Sequence, residues 1–122
     1  MIFRKQTHLT PLQDEDTFSS FATYVSSQAN HIRNILKHAD LSDEGAKAVA
    51  KQIGADTPLF GGTGGGLLEG QGTFGYVWAD YSRSDIIANG KGHVPGPSHG
   101  MSSTHAELCG IFAALVYLQL VT

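Results

Sequence analysis

The chain has 122 residues and a formal net charge of -3, which leaves room for one small domain and excludes a large multidomain enzyme. Its residues are 41% hydrophobic and 16% charged, which argues against disorder throughout, and no basic excess points to nucleic-acid binding. The single cysteine, Cys109, excludes an intramolecular disulfide. Because the N-terminus lacks a signal-peptide core and the longest apolar stretch, Ile111 to Val121, is shorter than a bilayer span, we expect an intracellular protein without a membrane segment.

The charges divide the sequence into two parts. Residues 1–56 hold six of the eight basic and seven of the eleven acidic residues, so we expect solvated helices there. Residues 57–122 are glycine-rich and poor in charge, which favours the buried part of a fold. We therefore predict a helical N-terminal segment over 1–56 and a second unit over 57–122.

Two helices are predicted in the first segment. The first begins near Thr10 or Asp16, carries apolar residues at helical spacing through Leu36, and ends near His38. The second begins after Ser42 and ends at Gly54, because serine is a favoured N-cap and glycine a favoured C-terminal stop.

The second segment reads as an antiparallel meander followed by a helix. Strands are predicted for the run before Gly64, for the aromatic stretch Thr73–Ala79 and for Asp85–Gly90. The turns and loops between them are Gly64–Gly72, Tyr81–Ser84 and Gly92–Gly100, and the last helix runs from about Ser103 to Gln119.

Three motifs have simple structural interpretations. The segment Gly70–Val77 matches the glycine-rich loop of protein kinases, but HRD and DFG motifs are absent, so a hairpin is the better interpretation. His93, His99 and His105 are evenly spaced, yet none pairs with a second ligand at zinc-site spacing. Cys109 falls on an apolar helix, where a small core residue is the default, and a nucleophile would need an activating base nearby.

The last predicted helix contains one acidic residue, Glu107, the only acid after Asp85. The helix residues that follow Glu107 are apolar on nearly every side of the helix, which is typical of a helix that is buried on most sides. Two interpretations remain open for Glu107 on position alone. It is either a capping-box partner of Thr104 or a ligand that faces a site.

The stretch from Pro58 to Leu118 resembles the first half of a type 1 ribonuclease H domain of reverse-transcriptase-bearing retroelements. Three features carry the resemblance in order: a strand leading into a glycine-rich turn over Leu59–Gly66, a meander with a V-P-G loop at Val94, and the S-S-T-H-A-E-L segment ending at Leu108. The resemblance implies an α/β (α+β) fold. It consists of a partial ribonuclease H-like unit, with a three-stranded antiparallel meander and a buried helix, preceded by two N-terminal helices.

The resemblance also implies an activity and its loss. The family cleaves the RNA strand of RNA–DNA hybrids with two divalent cations, usually Mg²⁺, held between acidic side chains and the scissile phosphate. Glu107 matches one family acid and is interpreted as a former metal ligand, whereas Gly64 stands where the family has its first catalytic Asp. The later family acids would lie beyond Thr122. We therefore expect a degenerate fragment that does not hold Mg²⁺ tightly or cleave hybrids, or alternatively a non-catalytic nucleic-acid- or protein-binding module.

The same resemblance predicts two exposed surfaces. The family sheet continues with a strand beside the first one, so here the first strand should have an open edge. The last helix should likewise expose an apolar face. Either the N-terminal helices fill that space, or both surfaces favour self-association.

Overall fold

The computed structural model describes residues 3–4, 17–80, 85–96 and 100–122. The elements in chain order are β1 (Phe3–Arg4), β2 (Thr17–Phe18), α1 (Phe21–Ser26), α2 (Asn30–Ile35), α3 (Asp43–Gly54), β3 (Leu59–Leu68), β4 (Gln71–Asp80), β5 (Asp85–His93) and α4 (Ser103–Val121). Strands β1 and β2 pair antiparallel, and β3, β4 and β5 form an antiparallel sheet in that order. The predicted α+β class, with a three-stranded meander followed by a helix, is confirmed.

The single first helix predicted up to His38 is wrong. Its apolar stretch is divided between α1 and α2, and Phe18 lies in β2. Serines end α1: the Ser26 and Ser27 hydroxyls donate to the carbonyls of Thr23 and Tyr24 at 2.7 and 2.6 Å. Such local bonds compete with helix propagation. The predicted starts at Thr10 and Asp16 lie outside the described residues.

The second predicted helix is confirmed as α3. The Ser42 hydroxyl caps it by accepting a hydrogen bond from the Gly45 amide at 3.1 Å, and the helix ends at Gly54. Asp43 and Glu44 lie in its first turn, where the positive end of the helix dipole favours carboxylates.

The glycine-rich turn predicted from Gly64 to Gly72 is also wrong. Strand β3 continues to Leu68, and the chain reverses within two residues, Glu69 and Gly70, whose φ angles are 52° and 79°. Two consecutive positive φ angles are typical of a tight two-residue hairpin turn. The run of glycines therefore lies in the strand, and the hairpin interpretation of Gly70–Val77 is confirmed.

The other two predicted strands are confirmed within β4 and β5. Strand β5 extends three residues further than predicted, to His93, so the start of the predicted Gly92–Gly100 loop is strand. The turn Tyr81–Ser84 and residues 97–99, which include His99, lie outside the described part of the chain.

The helices cover one face of the sheet. Helix α4 packs over β3 and β4, while α3 packs against β5 and the side of α4. One buried cluster joins the helical segment to the sheet: Phe21, Leu36 and Val49 pack with Tyr76 and Tyr117. The Phe21 and Tyr117 rings meet edge to face with centroids 5.4 Å apart. The opposite face of the sheet is left without a helical layer among the described residues.

Candidate functional site: the exposed surface of α4 and β3

The N-terminus of α4 is capped by Ser102. The Ser102 hydroxyl accepts a hydrogen bond from the His105 amide at 3.1 Å. Helix α4 therefore begins one residue before Thr104, and the capping box predicted for Thr104 and Glu107 is wrong. Glu107 is an exposed residue in the second turn of α4.

Helix α4 approaches β3 closely at two glycines. A Cβ at Gly65 would overlap the Ala106–Glu107 peptide, lying 2.5 Å from the Glu107 nitrogen. A Cβ at Gly110 would lie 3.0 Å from the Gly64 carbonyl oxygen. Glycine is needed at both places because any side chain would push the helix off the strand. This packing explains the glycine at position 65 of β3, whereas a Cβ at Gly64 or Gly66 would meet no atom within 4 Å.

The structure therefore places the backbone of Gly64 close to α4. A side chain at position 64 would nevertheless not point toward Glu107. Side chains alternate along a strand, so a Cβ at Gly64 would point to the face opposite α4. It would meet no atom within 4 Å. Position 65, whose Cβ would face α4, is filled by the helix backbone.

The residues present do not fit a pair of magnesium ions. Mg²⁺ in proteins prefers carboxylate and phosphate oxygens. Gly64 offers no side chain, and within the described ranges no group of three His, Cys, Asp or Glu residues could hold a metal ion. His93 and His105 are exposed on β5 and α4, and His99 is outside those ranges. We derive no hydrolytic step for this chain.

Cys109 is half-buried on α4 and packs against the core. Burial raises the pKa of its thiol above the ordinary value, which keeps the thiol protonated near neutral pH. This environment agrees with the small core residue inferred from the sequence.

The apolar residues of α4 that do not face the sheet form an exposed stripe. Leu108, Ile111, Phe112 and Leu115 are 60%, 44%, 49% and 55% exposed, and their spacing places them on one side of the helix. We call these four residues the α4 stripe. The buried residues of α4 lie on the opposite side of the helix, so the stripe faces away from the sheet. The exposed apolar helix face predicted from the sequence is present.

The outer edge of β3 is a second exposed feature. The Val94 amide donates to the Gly72 carbonyl at 2.9 Å, so Gly72 faces β5 and its partner Leu67 faces outward. The alternation of an antiparallel ladder then assigns outward backbone groups to Gly61, Thr63 and Gly65. No other described segment pairs with this edge. The predicted open edge is therefore present in the described chain.

Two buried tyrosines lie beneath α4. The rings of Tyr76 and Tyr117 have centroids 6.0 Å apart, and neither hydroxyl has a hydrogen-bond partner among the described residues. Burial raises the pKa of Tyr117 above 10.0, and the Asp40 carboxylate adds to the shift. The pKa of Tyr76 is raised by burial first and then by Tyr117 and Asp40.

Helix α4 also has the length and composition of a membrane span. It contains 19 residues with a mean hydropathy of 1.5, and it is the one such helix in the part of the chain that the structure describes. A core helix of a soluble protein has the same properties. The sheet-facing side of α4 packs as such a helix does: the Trp78 indole nitrogen donates to the Ala114 carbonyl at 3.3 Å.

Sequence reasoning predicted an exposed face on α4 but missed which residues face the sheet. The signal was present as small residues at helical spacing, namely Ala106, Gly110, Ala113 and Ala114. Comparison with known proteins adds no constraint, because no protein-family model, curated protein or solved structure matches the chain.

Proposed function

We propose that this chain is a degenerate ribonuclease H-like fragment of a retroelement that does not cleave RNA–DNA hybrids and that acts as a protein-docking module inside the cell. The observation that carries the proposal is the outer edge of β3, which no other described segment pairs with. Such an edge offers backbone hydrogen bonds to an added strand, and the α4 stripe offers a separate apolar face.

The placement of the family's site residues supports the loss of cleavage. Glu107 is exposed, Gly64 has no side chain, and a Cβ at Gly64 would point away from α4. Two-metal hydrolysis needs several carboxylates around the same phosphate. A single exposed carboxylate does not supply them.

A cleavage assay tests this proposal. The purified chain is incubated with an RNA–DNA hybrid and Mg²⁺ or Mn²⁺, beside the variants Glu107→Gln and Gly64→Asp. We expect no cleavage above the protein-free blank for all three proteins. Gly64→Asp is the most informative variant because it adds a carboxylate at position 64, where a Cβ would meet no atom within 4 Å. Metal-dependent cleavage by the wild-type chain that Glu107→Gln abolishes would overturn the proposal.

The alternative is a nucleic-acid-binding module, and the open face of the sheet is where it would bind. A shallow depression of about 710 Å³ there has one charged lining residue, Lys91. Binding to phosphates requires several cations and weakens as salt rises. Titration of the chain with an RNA–DNA hybrid at low and moderate salt distinguishes the nucleic-acid-binding alternative from the protein-docking proposal. The protein-docking proposal predicts no saturable binding at either salt concentration.

A further inference from the structure

We propose that a basic cleft beside β5 binds the phosphoryl group of a small phosphomonoester. The cleft has a volume of about 500 Å³ and is lined, among the described residues, by His38, Thr73, Phe74, Lys91, Gly92 and His93. We call it the β5 cleft. It lies at the opposite side of the sheet from the β3 edge, so this inference goes beyond the proposed docking function and does not depend on it.

The strand register brings two basic side chains of β5 together. His93 lies directly opposite Thr73 of β4, and Lys91 lies opposite Gly75. Residues two apart along a strand project to the same face, so Lys91 and His93 are neighbours on the face of the sheet that the helices leave open. Because glycine has no side chain, no group on β4 opposite Lys91 competes for its ammonium group.

The connection between α2 and α3 supplies a second imidazole. The Asp40 amide donates to the Asn89 carbonyl at 2.9 Å, which holds this connection against β5. His38, two residues before Asp40, lines the cleft. The Asp40 carboxylate accepts a hydrogen bond from the Ser42 amide at 3.0 Å and is not part of the cleft lining. The connection therefore adds an N–H donor to the cleft without adding a negative charge.

The side chains of the β5 cleft suit an anion with several acceptor oxygens. Lys91 provides a cation, each imidazole provides an N–H donor, and the Thr73 hydroxyl provides a further donor. No acidic residue lines the cleft, and none of these four side chains makes a hydrogen bond or ion pair within the described ranges. A phosphoryl group carries a charge of about −1.5 to −2 at pH 7 and three strong acceptor oxygens. It can accept from these unpaired donors together.

The number of cations favours a small phosphomonoester over a nucleic acid. A nucleic acid carries a single charge at each phosphodiester, and its binding depends on several cations along the backbone. The β5 cleft contains one lysine. A terminal phosphoryl group concentrates more charge and more acceptor oxygens at one point, which matches one cation surrounded by neutral donors.

The floor of the cleft offers an apolar contact for the rest of the ligand. A Cβ at Gly92 would lie 2.7 Å from Cζ of Phe74, so the Phe74 ring lies against the position where a side chain would otherwise be. Both residues line the cleft beside the basic groups. An aromatic group attached to the phosphate can therefore contact the floor while the phosphoryl oxygens contact the donors.

Binding of phenyl phosphate to the full chain tests the site. This probe joins a phosphomonoester to a flat apolar ring, and amide chemical shifts followed at low salt should show saturable changes centred on residues 91–93. Lys91→Gln removes the cation, and we expect it to weaken binding by at least about tenfold. His93→Gln should weaken binding by about threefold, whereas Lys91→Arg keeps the charge and should stay within about threefold of the wild type.

The matched control is Lys51→Gln. Lys51 is exposed in the last turn of α3 and does not line the cleft, so this variant makes the same change in net charge elsewhere. It should bind as the wild type does, and circular dichroism of each variant checks that the fold is retained. Phenol without the phosphate should not bind.

Several results would overturn the phosphomonoester site. They are the absence of saturable shifts, equal weakening by Lys51→Gln and Lys91→Gln, binding of phenol as strong as that of phenyl phosphate, and tighter binding of an RNA–DNA hybrid than of phenyl phosphate. The readout uses neither the β3 edge nor hybrid cleavage. Failure of this site would therefore leave the proposed docking function and the loss of cleavage to be judged by their own tests.

Discussion

At the scale of single residues, Tyr76 and Tyr117 bury their hydroxyls in the core without a hydrogen-bond partner among the described residues. Tyr117 is fully buried and its ring contacts both Phe21 and Tyr76. A buried hydroxyl without a hydrogen bond costs about 1–3 kcal/mol. The aromatic ring offsets that cost through its packing. Nothing in the sequence indicates which tyrosines are buried, because burial here depends on how α1 and α4 meet.

We predict that Tyr117→Phe leaves the free energy of unfolding at neutral pH unchanged or raises it by up to about 1–2 kcal/mol. The raised pKa means that the native phenol keeps its proton where the unfolded phenol loses it. The free energy of unfolding of the wild type should therefore fall as pH rises above 10.0.

Urea unfolding between pH 7 and 11 measures both effects. The decline above pH 10 should be shallower in Tyr117→Phe, and Tyr76→Phe should behave in the same direction. A loss of more than about 1 kcal/mol at neutral pH in Tyr117→Phe would mean that the hydroxyl has a stabilising partner.

At the scale of elements, the contact between β3 and α4 requires glycine at positions 65 and 110. The sequence predicted α3 correctly because Ser42 and Gly54 are local signals at its two ends. It did not predict that β3 continues through Gly66, because glycine in sequence indicates turns. The helix that requires glycine at position 65 comes more than 35 residues later. The prediction of a single first helix failed for a local reason, since the Ser26 and Ser27 hydroxyls donate to backbone carbonyls in the last turn of α1.

We predict that Gly65→Ala lowers the free energy of unfolding by at least about 2 kcal/mol, because its Cβ would overlap the α4 backbone. The neighbouring change Gly64→Ala is the matched control. A Cβ at Gly64 meets nothing within 4 Å, so its effect should stay within about 0.5 kcal/mol. Urea denaturation of both variants makes the comparison, and equal losses would refute the close approach of α4 to β3.

At the scale of the whole molecule, the fold class could be predicted and the site could not. The meander and the final helix follow from alternating β-prone segments and an apolar stretch, both visible in the sequence. The use of the surface depends on which strand is at an edge and which flank of α4 is covered. Those are properties of the assembled sheet, which local sequence patterns do not specify. They favour the α4 stripe over Glu107 as the candidate binding feature.

The most direct test of the account is residue-resolved amide hydrogen exchange of β3 across a range of protein concentrations. The account predicts that the outward amides of Gly61, Thr63 and Gly65 exchange rapidly in dilute solution, while the inward amides of β3 stay protected. Outward amides that are as protected as the inward ones in the most dilute sample would contradict a free docking edge.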